Sequence, residues 1–212
     1  MKYIVKDPEP QALSEWKASS NDNWHPTYEN LDSDTKSALK KALMAEQGYL
    51  CCYCESRVTL DDSHIEHFRP QSDESVDPLD FSNMLCSCQS QGKTLHCGHR
   101  KRDWFDDELL ISPLDPSCES RFSFAYDGHI RPAQEDDVAA KETIERLGLD
   151  IRNLVESRAK AIEPFLDDAL TEEDIKGFVS GYLQKDSRGA YEEFWTTIRY
   201  LFGGYVNAWK TA

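Results

Sequence analysis

Five of the chain's seven cysteines fall between Cys51 and Cys88, and a sixth follows at Cys97; this clustering constrains the fold more than any other feature. An odd number of cysteines argues against a disulfide framework. So does the opening MKYIVKDPEPQ, which carries proline and charge where an export signal would be apolar. The chain is therefore expected in the cytoplasm, where disulfides do not persist, and clustered thiols there read as metal ligands. Zinc takes four tetrahedral ligands, with thiolates at about 2.3 Å. Cys51-x-x-Cys54 supplies one pair. Cys88 with Cys97 is the chosen second pair, because Cys86-x-Cys88 is shorter than the usual spacing; Cys86 stays open as a replacement for either. A redox role for Cys51-x-x-Cys54 needs a thioredoxin-like βαβ pattern that is absent here. Cys118 stands apart and reads as a buried small hydrophobe.

A chain of 212 residues with 39% hydrophobic and 30% charged residues is of the globular class, and no apolar run approaches the length of a membrane helix. Periodicity predicts a helix over 33–47, with Leu39, Ala42 and Leu43 on one face, Ser33 or Asp34 as cap and Gly48 at its end. Residues 1–31, with Trp16 and Trp24, read as a partly ordered arm. Short β-prone runs at 57–60 and 63–68 flank Asp61-Asp62, a helix is expected over 99–105, and Asp127-Gly128 marks a hairpin between 121–126 and 129–131. Helices are predicted over 138–147, 151–170 with a break at Pro164, 175–184 and 191–209. The expected class is α+β, divided into an N-terminal arm and helix (1–48), a zinc-containing core (49–132) and a helical extension (133–212).

The formal net charge is −15, which conflicts with tight binding to a polyphosphate. Basic residues are nevertheless concentrated: Lys93, Arg100, Lys101 and Arg102 accompany His96 and His99, while Glu135-Asp136-Asp137, Asp167-Asp168 and Glu172-Glu173-Asp174 lie elsewhere. A basic partner or a small substrate footprint reconciles the two facts.

The segment His64-Ile65-Glu66-His67-Phe68-Arg69-Pro70 places three ionisable groups within four residues of a short strand. Phosphodiester hydrolysis requires a base for water and a cation against developing charge. An imidazole suits the first role, and a carboxylate holding Mg²⁺ or Mn²⁺ suits the second. Neighbours on a regular strand face opposite sides, so Glu66 and His67 need either a local kink or an ion reached directly by only one of them. Asn83 can pin a loop through side-chain-to-backbone bonds. His99 can reach the same ion as Glu66, with His96 as the competing imidazole.

The series Cys51-x-x-Cys54, Ile65-Glu66-His67-Phe68-x-Pro70, Asn83-x-Leu85-x-x-Cys88 and Cys97-x-His99-x-Lys101 resembles the zinc-containing HNH, or ββα-metal, endonucleases. With Cys-x-Tyr-Cys-Glu and Ile-Glu-His-Phe, the form looks like the PtuB nucleases of bacterial Septu and retron antiphage systems. The likeness extends through Ile111-Ser112-Pro113-Leu114-Asp115 and the Asp127-Gly128-His129-Ile130 hairpin. It implies a zinc-stapled ββα core with His67 as general base and Glu66 as metal ligand where many relatives have Asp. It further implies that Asn83 orients the site and that His99 completes the catalytic ion. Arg69, Arg100 and Lys101 are the expected phosphate contacts. The resemblance also implies a PtuA-like ATPase partner and, in retrons, a reverse transcriptase with its DNA–RNA product. DNA is one expected substrate. Host transfer RNA cut by the same site is a second, and a non-catalytic zinc scaffold for the ATPase is a third reading.

Overall fold

The computed structural model describes residues 1–89 and 94–206. Lys93 and the end of the expected 191–209 helix lie outside the described residues. The chain is α+β, with seven α-helices and two two-stranded antiparallel sheets among the described residues.

The N-terminal segment is packed, not loose. It holds α1 (Gln11–Ala18), whose Leu13 is fully buried, and Trp16 meets Trp24 edge-on at 5.0 Å. Ile4 N–H donates to the Pro113 carbonyl at 2.8 Å, tying this segment to the middle of the chain. Helix α2 (Ser33–Glu46) is capped by Asp32, whose carboxylate accepts from the backbone of Asp34 and Thr35, so the cap lies one residue ahead of the expected position. Gln47, at the end of α2, is buried and bonds both backbone groups of Cys86 at 2.7 and 2.8 Å.

Residues 49–58 form a knuckle. Cys51 N–H donates to Ser56 O at 2.9 Å and Glu55 N–H to Cys51 O at 3.1 Å, a turn tight enough to need a positive φ of 65° at Glu55. Residues 57–60 therefore do not form a hairpin across Asp61-Asp62. Arg57 bridges back to Leu50, and Val58 N–H donates to Tyr49 O. Strand β1 (Ser63–His67) instead pairs antiparallel with β2 (Met84–Cys88), placing His67 opposite Met84 and Ser63 opposite Cys88. A short helix, α3 (Cys97–Lys101), begins two residues earlier than expected and packs on β2. The expected hairpin forms as β3 (Phe122–Phe124) and β4 (Ile130–Pro132).

Four helices follow. Helix α4 (Val138–Leu147) starts at the Asp137 cap and stops at Gly148 in the left-handed conformation. Helix α5 (Arg152–Ile162) stops short of Pro164 and passes into a 3₁₀ turn. Helix α6 (Glu172–Tyr182) begins earlier than its apolar pattern because Thr171 and Asp174 form a capping box. Helix α7 (Trp195–Phe202) begins late because Phe194 has a φ of 53°, and residues 191–194 run instead along the knuckle.

Two apolar cores result. One gathers Leu39, Leu43, Tyr53, Met84, Leu85, Phe122 and, from beyond position 133, Ala140, Leu147 and Leu154. The second gathers Ile162, Phe165, Val179, Leu183, Trp195, Ile198 and Phe202 around Leu50 of the knuckle. Among the described residues, no helix is long and apolar enough to cross a membrane.

Candidate active site

Cys51 and Cys54 come from the knuckle, Cys88 from the end of β2 and Cys97 from the start of α3. Their sulfurs all lie within 4.8 Å of one another and all four residues are buried. A tetrahedron with arms of about 2.3 Å has sulfur–sulfur edges near 3.8 Å, and Cys54 Sγ lies 3.7 Å from Cys88 Sγ. The four thiols thus fit a structural zinc in size, donor type and seclusion. Burial works against ionising Cys51, yet hydrogen bonds from Cys52, Cys54, Cys88 and Cys97 outweigh it and hold this thiol well below its usual range. Cys86 lies outside the group, and burial pushes its thiol up to about 12. Cys118 is fully buried with Sγ 3.7 Å from the Met1 carbonyl. His96 sits against the thiols, with Nδ1 at 3.2 Å from Cys97 Sγ and 3.7 Å from Cys88 Sγ.

Strand β1 is regular, and its alternation separates Glu66 from His67. The Glu66 carboxylate is buried. Its Oε1 accepts from Tyr53 Oη at 3.0 Å and meets Lys101 Nζ at 3.0 Å, while Oε2 faces His64 Nε2 at 3.3 Å. Burial alone would raise this carboxyl; the His64 and Lys101 contacts outweigh it and hold the group below the ordinary carboxylate range. Burial and the Glu66 charge push the Tyr53 hydroxyl well above its usual range, so it remains a donor.

His67 has a different set of partners. Its Nε2 lies 2.9 Å from the Pro78 carbonyl, its Nδ1 lies 3.1 Å from Gln71 Nε2, and Tyr28 packs edge-on against the ring at 4.6 Å. A carbonyl only accepts, so the ring proton sits on Nε2 and Nδ1 carries the lone pair. Burial holds the imidazole below its ordinary pKa, partly offset by the Pro78 bond and the Glu66 charge, and the neutral ring is favoured at neutral pH.

Asn83 closes the turn after His67. Its Oδ1 accepts from Arg69 N at 2.8 Å and its Nδ2 donates to Arg69 O at 2.9 Å, so one buried amide holds both backbone groups of Arg69. A surface depression beside this turn is lined by Ile65, Glu66, His67, Pro70, Gln71, Gly98, Arg102 and Asp103. The Glu66 carboxylate and the His67 ring have different partners, yet both residues border this one space. No kink in the strand is needed.

The structure distributes the remaining expected residues unevenly. His99 stacks on His64, with ring centroids 4.6 Å apart and planes 9° apart. Arg69 is half-exposed, paired with Asp107 and lying over the Phe105 ring at 4.7 Å. Arg100 is exposed and runs against Gly148 at the end of α4. Lys101 is buried, not poised at the surface: besides Glu66, its Nζ donates to the His67 carbonyl at 3.0 Å. Arg102, with a φ of 51°, is the exposed cation that borders the depression. Tyr53, Gln71 and Pro78 carried no signal of these contacts in the sequence, except that Tyr53 sits inside the cysteine knuckle.

No family model matches the chain. Curated relatives are similar to it. A protein of Vibrio cholerae serotype O1 biovar El Tor, provisionally named an HNH endonuclease of retron Vc95, is 36% identical over 136 residues, covering 60% of this chain and 65% of the relative. An Escherichia coli protein, named in the same provisional way for retron Ec83, is 27% identical over 210 residues, covering 78% of this chain and 80% of the relative. The chain thus spans just under two thirds of the length of the Vibrio relative it matches.

Proposed function

We propose that this chain is a metal-dependent HNH endonuclease that hydrolyses phosphodiester bonds as the nuclease of a retron-type antiphage system. The observation that carries the reading is the pairing of functions at one depression. A buried carboxylate held ionised at Glu66 stands beside a neutral imidazole at His67 whose tautomer leaves Nδ1 as the base. The names of the two relatives support the same reading and its retron setting.

His67 Nδ1 takes a proton from the attacking water, which occupies the place beside the ring that the Gln71 amide holds here. The Pro78 carbonyl keeps the ring in the required tautomer and stabilises the imidazolium that forms. Glu66 and an imidazole would hold Mg²⁺ or Mn²⁺, which when bound would supply neutralisation of the charge that develops on the phosphate and its leaving oxygen. Lys101 positions the Glu66 carboxylate and the His67 backbone, and Asn83 positions the turn that follows. Arg102 at the rim and Arg69 on the turn held by Asn83 are the phosphate contacts, with Arg100 on α3. A zinc on the four cysteines would do no chemistry; it would tie the knuckle to the end of β2 and the start of α3.

The −15 charge sets the conditions of action. The helical region 133–212 docks a PtuA-like ATPase that brings the nuclease to its substrate, and the isolated chain binds DNA weakly at physiological salt. DNA and transfer RNA are separated by their products. Wild type and His67→Ala are co-expressed with the neighbouring ATPase, the system is activated by phage, and DNA ends and transfer-RNA ends are sequenced. Cleavage should vanish in the variant, and the pool cut by wild type names the substrate. Unchanged cleavage by a folded, zinc-loaded His67→Ala removes the nuclease reading and leaves the scaffold.

A further inference from the structure

His64 lies two residues before Glu66 on the same face of β1, and its ring is placed in an unusual way. Nε2 makes the ring's hydrogen-bonding contact, to Glu66 Oε2, while Nδ1 is buried with no hydrogen-bond partner. A buried polar atom left unpaired destabilises the fold, so stability alone does not account for an imidazole here. Its 3.3 Å separation from Oε2 is also long for a charge-assisted bond, which is usually about 2.7–2.9 Å. It is close to the spacing of two neighbouring ligands on one small divalent ion: arms of about 2.1 Å at right angles put the donor atoms near 3.0 Å apart.

The surroundings point the same way. Oε1 of Glu66 is already held by Tyr53 and Lys101, which leaves Oε2 as the oxygen turned toward His64. Gly98 is pressed against this pair: a Cβ built there would lie 2.2 Å from Glu66 Oε2 and 2.6 Å from His64 Nε2. The absence of a side chain lets α3 close over the two donors, and Gly98 itself borders the depression. His99 stacks nearly parallel on the His64 ring from α3. Among the described residues, the four cysteines are the set of three or more candidate ligands gathered this tightly, so Glu66 has a close imidazole partner in His64 rather than a ready-made triad. Two protein ligands are what Mg²⁺ or Mn²⁺ commonly takes, with water and substrate oxygens completing the shell.

We infer that His64, through Nε2, shares the catalytic divalent cation with Glu66 Oε2, and that His99 is a positioning residue that holds the His64 ring. This rests on the reading of Glu66 as a metal ligand. It changes the residue expected from the sequence to complete the ion.

The test uses the full zinc-loaded chain, labelled with ¹⁵N-histidine, and Mn²⁺ alone as probe. Affinity is read by titration with electron paramagnetic resonance, and the coordinating nitrogen by electron–nuclear double resonance. Zinc content and thermal melting check the fold of each variant. Wild type should show one ¹⁵N coupling. That coupling should disappear in His64→Ala and in the better size-matched His64→Gln, with affinity at least tenfold weaker. His99→Phe, which keeps an aromatic plate, should retain the coupling and bind within threefold of wild type. A coupling that survives in His64→Gln, or is lost in His99→Phe, overturns the inference and leaves the Glu66 reading intact. Absence of Mn²⁺ binding by wild type, or binding unchanged in Glu66→Gln, overturns the Glu66 reading itself and the His64 assignment with it.

Discussion

Gly98→Ala is the substitution whose effect separates folding from chemistry most cleanly. Gly98 lies inside α3 and its φ is not positive, so alanine suits its backbone. Helix propensity alone favours alanine by about 1 kcal/mol. Against this stands the methyl group, which would sit 2.2 Å from Glu66 Oε2. Overpacking of this kind typically costs about 1–3 kcal/mol. The net expectation is a loss near 1 kcal/mol, or roughly 2–4 °C in melting temperature for a chain of this size. The clash falls on the tip of a side chain, so the carboxylate turns aside instead of the helix unfolding. In turning, it gives up the Tyr53 and Lys101 contacts that aim Oε2. A displacement of about 1 Å at a reacting centre can cost roughly 100-fold in rate. The variant should therefore retain its zinc and melt within a few degrees of wild type, while nucleic-acid cleavage in the phage-activated system falls roughly 100-fold. Melting curves, zinc content and cleaved-end sequencing measure the three quantities. A Gly98→Ala protein that cleaves at the wild-type rate would show that Glu66 needs neither this position nor this orientation.

Three further outcomes follow from the packing. Cys86→Ser should leave one zinc per chain and Cys88→Ser should lose it, because only Cys88 belongs to the tetrahedral group; mass spectrometric metal content decides, and equal loss in both would break the assignment. Arg158 is buried, with its guanidinium donating to the Gly128 and Leu149 carbonyls at 3.2 and 2.6 Å, so Arg158→Met should destabilise by about 2–4 kcal/mol. Urea unfolding measures it, and a change below about 1 kcal/mol contradicts the structural role. Asp137 caps α4 and pairs with Arg121 at 2.5 and 2.6 Å; that guanidinium holds its carboxyl below the ordinary range. A depressed folded pKa contributes stability that is present above the unfolded value and lost as pH falls through the folded one. Asp137→Asn keeps a capping oxygen but loses the charge. It should therefore cost about 1 kcal/mol near pH 7, with the difference from wild type vanishing in acid; a gap that widens in acid would reverse the sign.

Much of the helical frame was legible in local pattern. Helix α4 coincides with its predicted 138–147, and Pro164 breaks the following segment as its missing N–H requires. The four-thiol group was legible because metal geometry limits which cysteine spacings can serve; of the candidates, Cys86 falls out because it lies two residues before Cys88 along β2, outside the group. Strand pairing was not legible. Residues 57–60 had the composition of a hairpin partner, but closing the knuckle consumed their backbone bonds, and β1 found β2 some twenty residues on.

The sequence by itself determined the α+β class and the four-thiol set, and it set Glu66 and His67 side by side on one strand, since residue type, spacing and charge are local properties. Only the tertiary structure decided what surrounds those groups. It buried Lys101 between Glu66 and the His67 carbonyl, set the His67 ring against the Pro78 carbonyl, and brought His64 and Gly98 against Oε2 of Glu66. Each of these depends on which side chains meet across a strand, a helix and a turn, and such contacts arise from packing between segments distant in the chain.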